Sequence, residues 1–211
     1  PIPRTLTLAQ YGEMDVSRLD AMPPGRQPSD TRVVPLDRLE DVVGAVARHV
    51  ASGQQAYWVC PMVRGSEDED NDLAAAEARF ASLRERFGND VVLVHGQLAP
   101  ELKDAGMARF ASGQAKLLVA TTVIEVGVDV PAATLMVIEQ AERFGLAQLH
   151  QLRGRVGRGS DKSTCLLLRS SELSETGKQR LHCAWPKQAA LNPGADPDKA
   201  ASYICKMPKR R

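Results

Sequence analysis

Gln148-Leu-His-Gln-Leu-Arg-Gly-Arg-Val-Gly-Arg158 is the stretch on which the reading of this chain turns. Three arginines and two glycines fall between Arg153 and Arg158, beside a polar face of Gln148, His150 and Gln151. Such a segment is ill suited to a buried helix. Arginine is rarely buried without a partner, and glycine costs about 1 kcal/mol against alanine inside a helix. Arginines at a glycine-broken helix end suit phosphate, because the guanidinium fork matches its oxygens bidentately. The glycines let the main chain turn sharply or approach a ligand closely. The alternative is a basic surface turn, and the neighbouring sequence decides between the two.

Outward from this stretch the charge is local. Arg143, Arg153, Arg155, Arg158, Lys162 and Arg169 face Asp161 alone between positions 143 and 169, although the whole 211-residue chain carries a net charge of only +1. The band suits phosphate, whereas the overall balance gives no argument for a polyanion. Hydrophobic residues make up 43% and charged residues 25%, the composition of an ordinary globular protein. Cys60, Cys165, Cys183 and Cys205 form no Cys-x-x-Cys pair and read as reduced thiols. No apolar run approaches the roughly 18 residues that would span a bilayer, no signal peptide is recognised, and a cytoplasmic location is expected. The chain starts at Pro1 and reads as a fragment.

Strand and helix patterns alternate from Thr31 onward. Thr31–Val34, Gln55–Cys60, Val91–Val94, Lys116–Ala120, Thr134–Ile138 and Ser163–Leu168 are apolar strands. Leu39, Val43, Val46 and Val50 mark one helix, ended by Gly53. Leu73, Ala76, Phe80, Leu83 and Phe87 mark a second. Pro100 opens a third, with Leu102 and Phe110 expected to pack inward, and Leu146–Leu152 forms a fourth. Apolar strands separated by amphipathic helices imply an α/β fold: a parallel sheet with helices on both faces. The run Glu67–Asp72 lacks the glycine and final glutamate of a calcium loop and reads as a solvated loop leading to a helix N-terminus. Residues 1–31 read as an irregular linker, 32–181 as the domain, and 182–211, with four prolines, as a poorly ordered tail.

In parallel sheets ligands bind at the carboxyl ends of the strands. Val94-His95-Gly96-Gln97 leaves one strand there, and His95 can contact a phosphate or cap the following turn. Ala120-Thr-Thr-Val-Ile-Glu-Val-Gly-Val-Asp-Val-Pro131 leaves another. Thr121 and Thr122 offer hydroxyls, Gly127 permits close approach, and Asp129 can accept from a ribose or orient an arginine. The arginine stretch is the third such segment, and the order and separation of all three in one sheet is more specific than any one of them.

These segments resemble superfamily 2 helicases. ATTVIEVGVDVP is similar to their motif V, QLRGRVGR to motif VI, and the leading PIPRTL to the end of motif III. MDVSRLDAMPPGR together with ERFGLAQLHQLRGRVGRG resembles the RecG-type bacterial helicases more than the transcription-repair coupling factors, which share PIPRTL and QLRGRVGR. The likeness runs from Pro1 to about Leu181. It implies a RecA-like second motor domain of an ATP-dependent helicase that acts on branched double-stranded DNA in recombination and repair. In that role Arg155 and Arg158, with Gln151 nearby, reach across a cleft to ATP and Mg2+ held mainly by a first motor domain. Gly127, Asp129, Gly154 and Gly157 adjoin the nucleotide, and His95, Gly96, Thr121 and Thr122 contact DNA. The wedge domain and first motor domain would be partners supplied by the same protein.

The sequence contains no Gly-x-x-x-x-Gly-Lys-Ser/Thr. A coupling helical hairpin would follow motif VI in a RecG-type protein, and the Pro-rich tail stands in its place, as in a truncated or frame-shifted product. The chain by itself is therefore expected to be inactive, and the rival reading is a non-catalytic nucleic-acid-binding remnant.

Overall fold

The computed structural model describes residues 29–62, 69–121, 130–157, 159 and 161–171. They form six strands: β1 (Asp30–Pro35), β2 (Gln55–Val59), β3 (Val91–Val94), β4 (Leu117–Ala120), β5 (Ala133–Ile138) and β6 (Thr164–Arg169). The helices are α1 (Leu39–Ala51), α2 (Glu69–Phe87), α3 (Pro100–Ala111) and α4 (Leu146–Arg153). The sheet runs in the order β1-β6-β5-β2-β4-β3, and every neighbouring pair is parallel.

Parallel strands need helical crossovers, and the crossovers here cover both faces of the sheet. Side chains alternate along each strand, so one strand feeds two cores. Ala56, Trp58 and Cys60 join Val42, Val46, Ala76 and Leu83 beneath α1 and α2. Tyr57 and Val59 join Phe110, Leu149 and Leu152 beneath α3 and α4. The central strands β2, β4 and β5 are buried at every residue, which explains their unbroken apolar runs. Among the described residues no helix is long and apolar enough to cross a membrane.

All six expected strands are present, with ends shifted by a residue or so. Gly53, at φ +87°, ends α1, and Pro100 stands in the first turn of α3. Two expectations are corrected. The acidic run is not a solvated loop throughout: Glu69 to Asp72 already belong to α2, and Asp72 is buried. Leu102 does not pack inward. It stands 60% exposed, whereas Phe110 on the same helix is fully buried with its ring centroid 5.0 Å from that of Tyr57. Residues 1–28 of the expected linker and the whole of the expected tail fall outside the described residues; Asp30 and Thr31, placed in that linker, already belong to β1, because they pair with Thr164 and Cys165.

The buried Gln55 side chain closes a gap that propensity leaves open. Its amide donates to the carbonyls of Phe110 at 2.5 Å and Ala115 at 3.0 Å, fastening the end of α3 to the start of β2. Phe110→Ala should therefore destabilise the domain by about 3–5 kcal/mol, and Leu102→Ala by roughly 0.5 kcal/mol or less. Chemical denaturation of the two variants checks this, and equal losses would contradict the burial pattern.

Candidate functional site

Three chemical groupings ring the sheet, and they do not share one edge. Val94 pairs with Ala120, so His95 and Thr121 leave adjacent strands side by side at the carboxyl edge. Both are buried, and His95 Nδ1 and Thr121 Oγ1 have no hydrogen-bond partner among the described residues. The turn after β3 is closed by main chain instead, with the Leu98 N–H donating to the His95 carbonyl at 3.3 Å. The His95 side chain is thus not used as a cap there. Lys103 Nζ donates to the Gly96 carbonyl at 2.6 Å and brings a positive charge beside this pair. Burial holds the His95 imidazole below its ordinary pKa; Glu77 opposes that shift and Lys103 adds to it. Thr122, Gly127 and Asp129 lie outside the described residues.

The carboxyl edge at β2 and β5 is closed by ion pairs. Chain order reverses there, the place where open α/β sheets commonly leave a ligand crevice. Instead Glu139, buried just after β5, accepts from Arg79 Nε of α2 at 2.7 Å. The Arg79 guanidinium lies 5.9 Å from the Trp58 ring centroid. Cys60 Sγ donates to the other Glu139 oxygen at 3.5 Å. Burial, followed by the Glu139 charge, pushes the Cys60 thiol well up. Arg143 grips Asp72 with both terminal nitrogens, at 2.6 and 2.9 Å, and also donates to Gln140 Oε1 at 3.1 Å. Gln140 takes a left-handed conformation, φ 44°, to start the short 3-10 turn Ala141–Arg143. Reading the sequence alone missed these residues. The only local signal was a carboxylate directly after an apolar strand, and the partners are 60 or more positions away.

The arginine segment occupies the opposite edge. After the 3-10 turn, Gln148 Oε1 accepts from the Gly145 N–H at 3.0 Å and starts α4, so this glutamine serves as a cap. α4 runs back across the sheet, burying Leu149 and Leu152 and leaving Gln151 exposed. Gly154 ends it, its N–H donating to the His150 carbonyl at 3.1 Å, and the Arg155 N–H donates to the Leu152 carbonyl at 2.9 Å. Arg155 is half-buried, and Val156 is fully buried in the sheet core. Gly157 then turns at φ +71° against Ser163, immediately before β6. Arg158 lies outside the described residues. The expectation that all three segments gather at the carboxyl edge therefore holds for His95 and Thr121 but not for Gly154, Arg155 and Gly157. The direction of α4 is the reason. It returns the chain to the amino ends of the strands, where Gly159 lies beside the Pro131 carbonyl.

Residues 36–160 match the helicase conserved C-terminal domain. The chain belongs to this helicase family. It is 50% identical over 182 residues to the ATP-dependent DNA helicase RecG of Acidithiobacillus ferridurans, covering 86% of this chain and 26% of that protein. The RecG helicase of Escherichia coli strain K12 is 50% identical over 183 residues, with the same coverage. The chain thus spans about a quarter of the length of these helicases. A solved structure of RecG bound to a three-way DNA junction superposes with a TM-score of 0.71 at 43% identity, over 99% of this chain and 26% of that one. Dbp5 of S. cerevisiae, bound to RNA and ADP BeF3, shares the fold alone: TM-score 0.60, 15% identity, 97% of this chain and 52% of that one.

His49 and His95 of this helicase domain both sit below the ordinary histidine pKa of 6.5, chiefly through burial. The unfolded chain therefore takes up these protons first, so stability is full above pH 6.5 and falls as pH drops toward the folded values. NMR titration of the two imidazoles should give midpoints under 6.5, with a lower unfolding midpoint at pH 5.5 than at pH 7.5. Midpoints at or above 6.5 would contradict the burial account.

Proposed function

We propose that this chain works as the second motor domain of a RecG-type ATP-dependent DNA helicase that acts on branched DNA in recombination and repair, in the cytoplasm. The observation that carries the proposal is the arginine turn, with Arg155 held between a helix-ending glycine and a left-handed glycine at the amino edge of the sheet. Phosphoryl transfer asks for positioned positive charge more than for covalent chemistry, and an arginine finger supplies that charge. Arg155 and Arg158 would act on the γ-phosphate of ATP, with Gln151 beside them and Gly154 and Gly157 shaping the approach. Gly127 and Asp129, of the motif V-like segment, would adjoin the nucleotide.

The donor set of this chain fits a share of the ATP site rather than the whole of it. There is no Gly-x-x-x-x-Gly-Lys-Ser/Thr, and among the described residues no group of three or more His, Cys, Asp or Glu could hold a metal. ATP and Mg2+ would be held mainly by a first motor domain, and this chain would contribute the finger. His95, Gly96, Thr121 and Thr122 would take the DNA backbone at the carboxyl edge. Their support is the pair of buried side-chain atoms, His95 Nδ1 and Thr121 Oγ1, without described partners. Leaving such an atom unsatisfied costs about 1–3 kcal/mol, which a phosphate oxygen can relieve for the threonine hydroxyl. The RecG structure bound to a three-way junction supports branched DNA as the substrate.

When the chain is joined to a RecG-type first motor domain, Arg155→Ala and Arg158→Ala should each lower ATP turnover by roughly 10³-fold. ATP affinity should change much less. Arg155→Lys should rescue poorly because an ammonium lacks the planar fork, and Arg153→Ala should be mild. Normal turnover in folded Arg155→Ala and Arg158→Ala proteins would refute the assignment. The chain alone should hydrolyse no ATP above background.

DNA binding by the chain alone should be weak and should fall only gradually with salt, because few phosphates can be neutralised. The slope of log affinity against log salt should be shallow, about 0.9 for each phosphate contacted. Filter binding across a salt series checks this, and tight binding that ignores salt would contradict it.

A further inference from the structure

Gly157 does more than turn the chain. A Cβ built on it would fall inside the contact radius of Ser163 Oγ and lie 3.1 Å from Ser163 Cβ and 3.3 Å from Ser29 Oγ. The two serines share a hydrogen bond of 2.6 Å between their hydroxyls. Ser163 is 1% exposed, and its carbonyl accepts the Asp30 N–H at 2.9 Å as the β1–β6 ladder begins. Ser29 therefore stands where the chain enters the sheet, immediately before β1 and near the end of the stretch that reads as an interdomain linker. Two parts of the chain 134 positions apart meet at one point: the entry to β1, and the last turn of the arginine segment together with the entry to β6 that soon follows it.

Packing alone would not require serine at both positions. A small apolar pair would fill the same space without the rigour of a hydroxyl–hydroxyl bond. The bond fixes the rotamers of both serines and so fixes the surface against which Gly157 lies. Gly157 lies two residues after Arg155 and immediately before Arg158. A shift at its contact is passed back to Arg155 through a short, sharply turned piece of main chain. Val156, next to Arg155, is fully buried and anchors the turn in the core.

We infer that the Ser29–Ser163 hydroxyl pair is the positioning device for the arginine turn, holding it through Gly157 in register with the point where the linker enters the sheet. Ser29 and Ser163 are positioning residues and touch no substrate. Their consequence for catalysis rests on the role proposed above for Arg155 and Arg158, but the positioning itself does not.

Hydrogen exchange in the full 211-residue chain separates the two. In Ser29→Ala and Ser163→Ala, exchange of the Gly154 and Arg155 amides should accelerate about 3- to 10-fold, the effect of one net hydrogen bond. Amides within β1 and β6 should keep their protection. Ser29→Thr retains the hydroxyl and should restore slow exchange. Unchanged exchange at Gly154 and Arg155 in both alanine variants would overturn the inference. Equal acceleration along β1 and β6 would also overturn it, since the pair would then merely support the ladder. In the joined two-domain protein, Ser29→Ala should lower kcat several-fold and leave KM for ATP unchanged, and Ser29→Thr should recover it. An unchanged kcat there, with Arg155→Ala severely impaired, would refute the positioning role. If Arg155→Ala turned over normally while the exchange result held, the finger assignment would fail and the positioning would stand.

Discussion

A parallel sheet must be covered on both faces, and that constraint fixes most of this molecule. Each crossover carries the chain from the carboxyl edge back to the amino edge, so each helix lies on one face and each strand feeds both cores. Tyr57 and Trp58 are consecutive yet belong to different cores. With the faces filled, only the two edges remain for chemistry. The site we propose is accordingly divided between His95 and Thr121 at the carboxyl edge and the turn from Gly154 to Gly157 at the amino edge.

The two edges are built in opposite ways. At β2 and β5 the carboxyl edge is satisfied internally. Arg79 holds Glu139, and Arg143 holds Asp72. Such pairs resist losing one partner, because the survivor is left charged and partly desolvated. They also fix α2 and the 3-10 turn that launches α4, so the closed edge sets the starting point of the helix that carries the arginines. Beside β3 and β4 the same edge keeps buried polar atoms without described partners, a cost that makes sense where a ligand completes the bonding. At the amino edge a glycine stands where no side chain fits.

Much of this was legible in the sequence. The apolar runs of β2, β4 and β5 are unbroken because those strands are buried throughout. The glycines of the arginine stretch announced a helix end and a sharp turn; Gly154 provides the first, and Gly157 the second by taking a left-handed conformation. What stayed hidden was pairing across long separations. Asp72 with Arg143, Arg79 with Glu139 and Ser29 with Ser163 are 71, 60 and 134 positions apart, and nothing in their local context announces the partner. Leu102 misled because an apolar residue in the first turn of a helix resembles a core position, and only the tertiary placement of α3 leaves it exposed. The edge taken by the arginine turn was equally hidden, since it depends on the direction in which α4 returns.

The central claim is that Arg155, held at the amino edge, stabilises a phosphoryl group in transfer. The direct measurement is the affinity of the joined two-domain protein for ADP alone and for ADP with aluminium fluoride, a mimic of that group. In Arg155→Ala, affinity for the mimic should fall by ~10²-fold or more while affinity for ADP stays close to that of the parent, since only interactions that strengthen in the transition state accelerate the reaction. Equal affinity for the mimic in parent and variant would contradict the account.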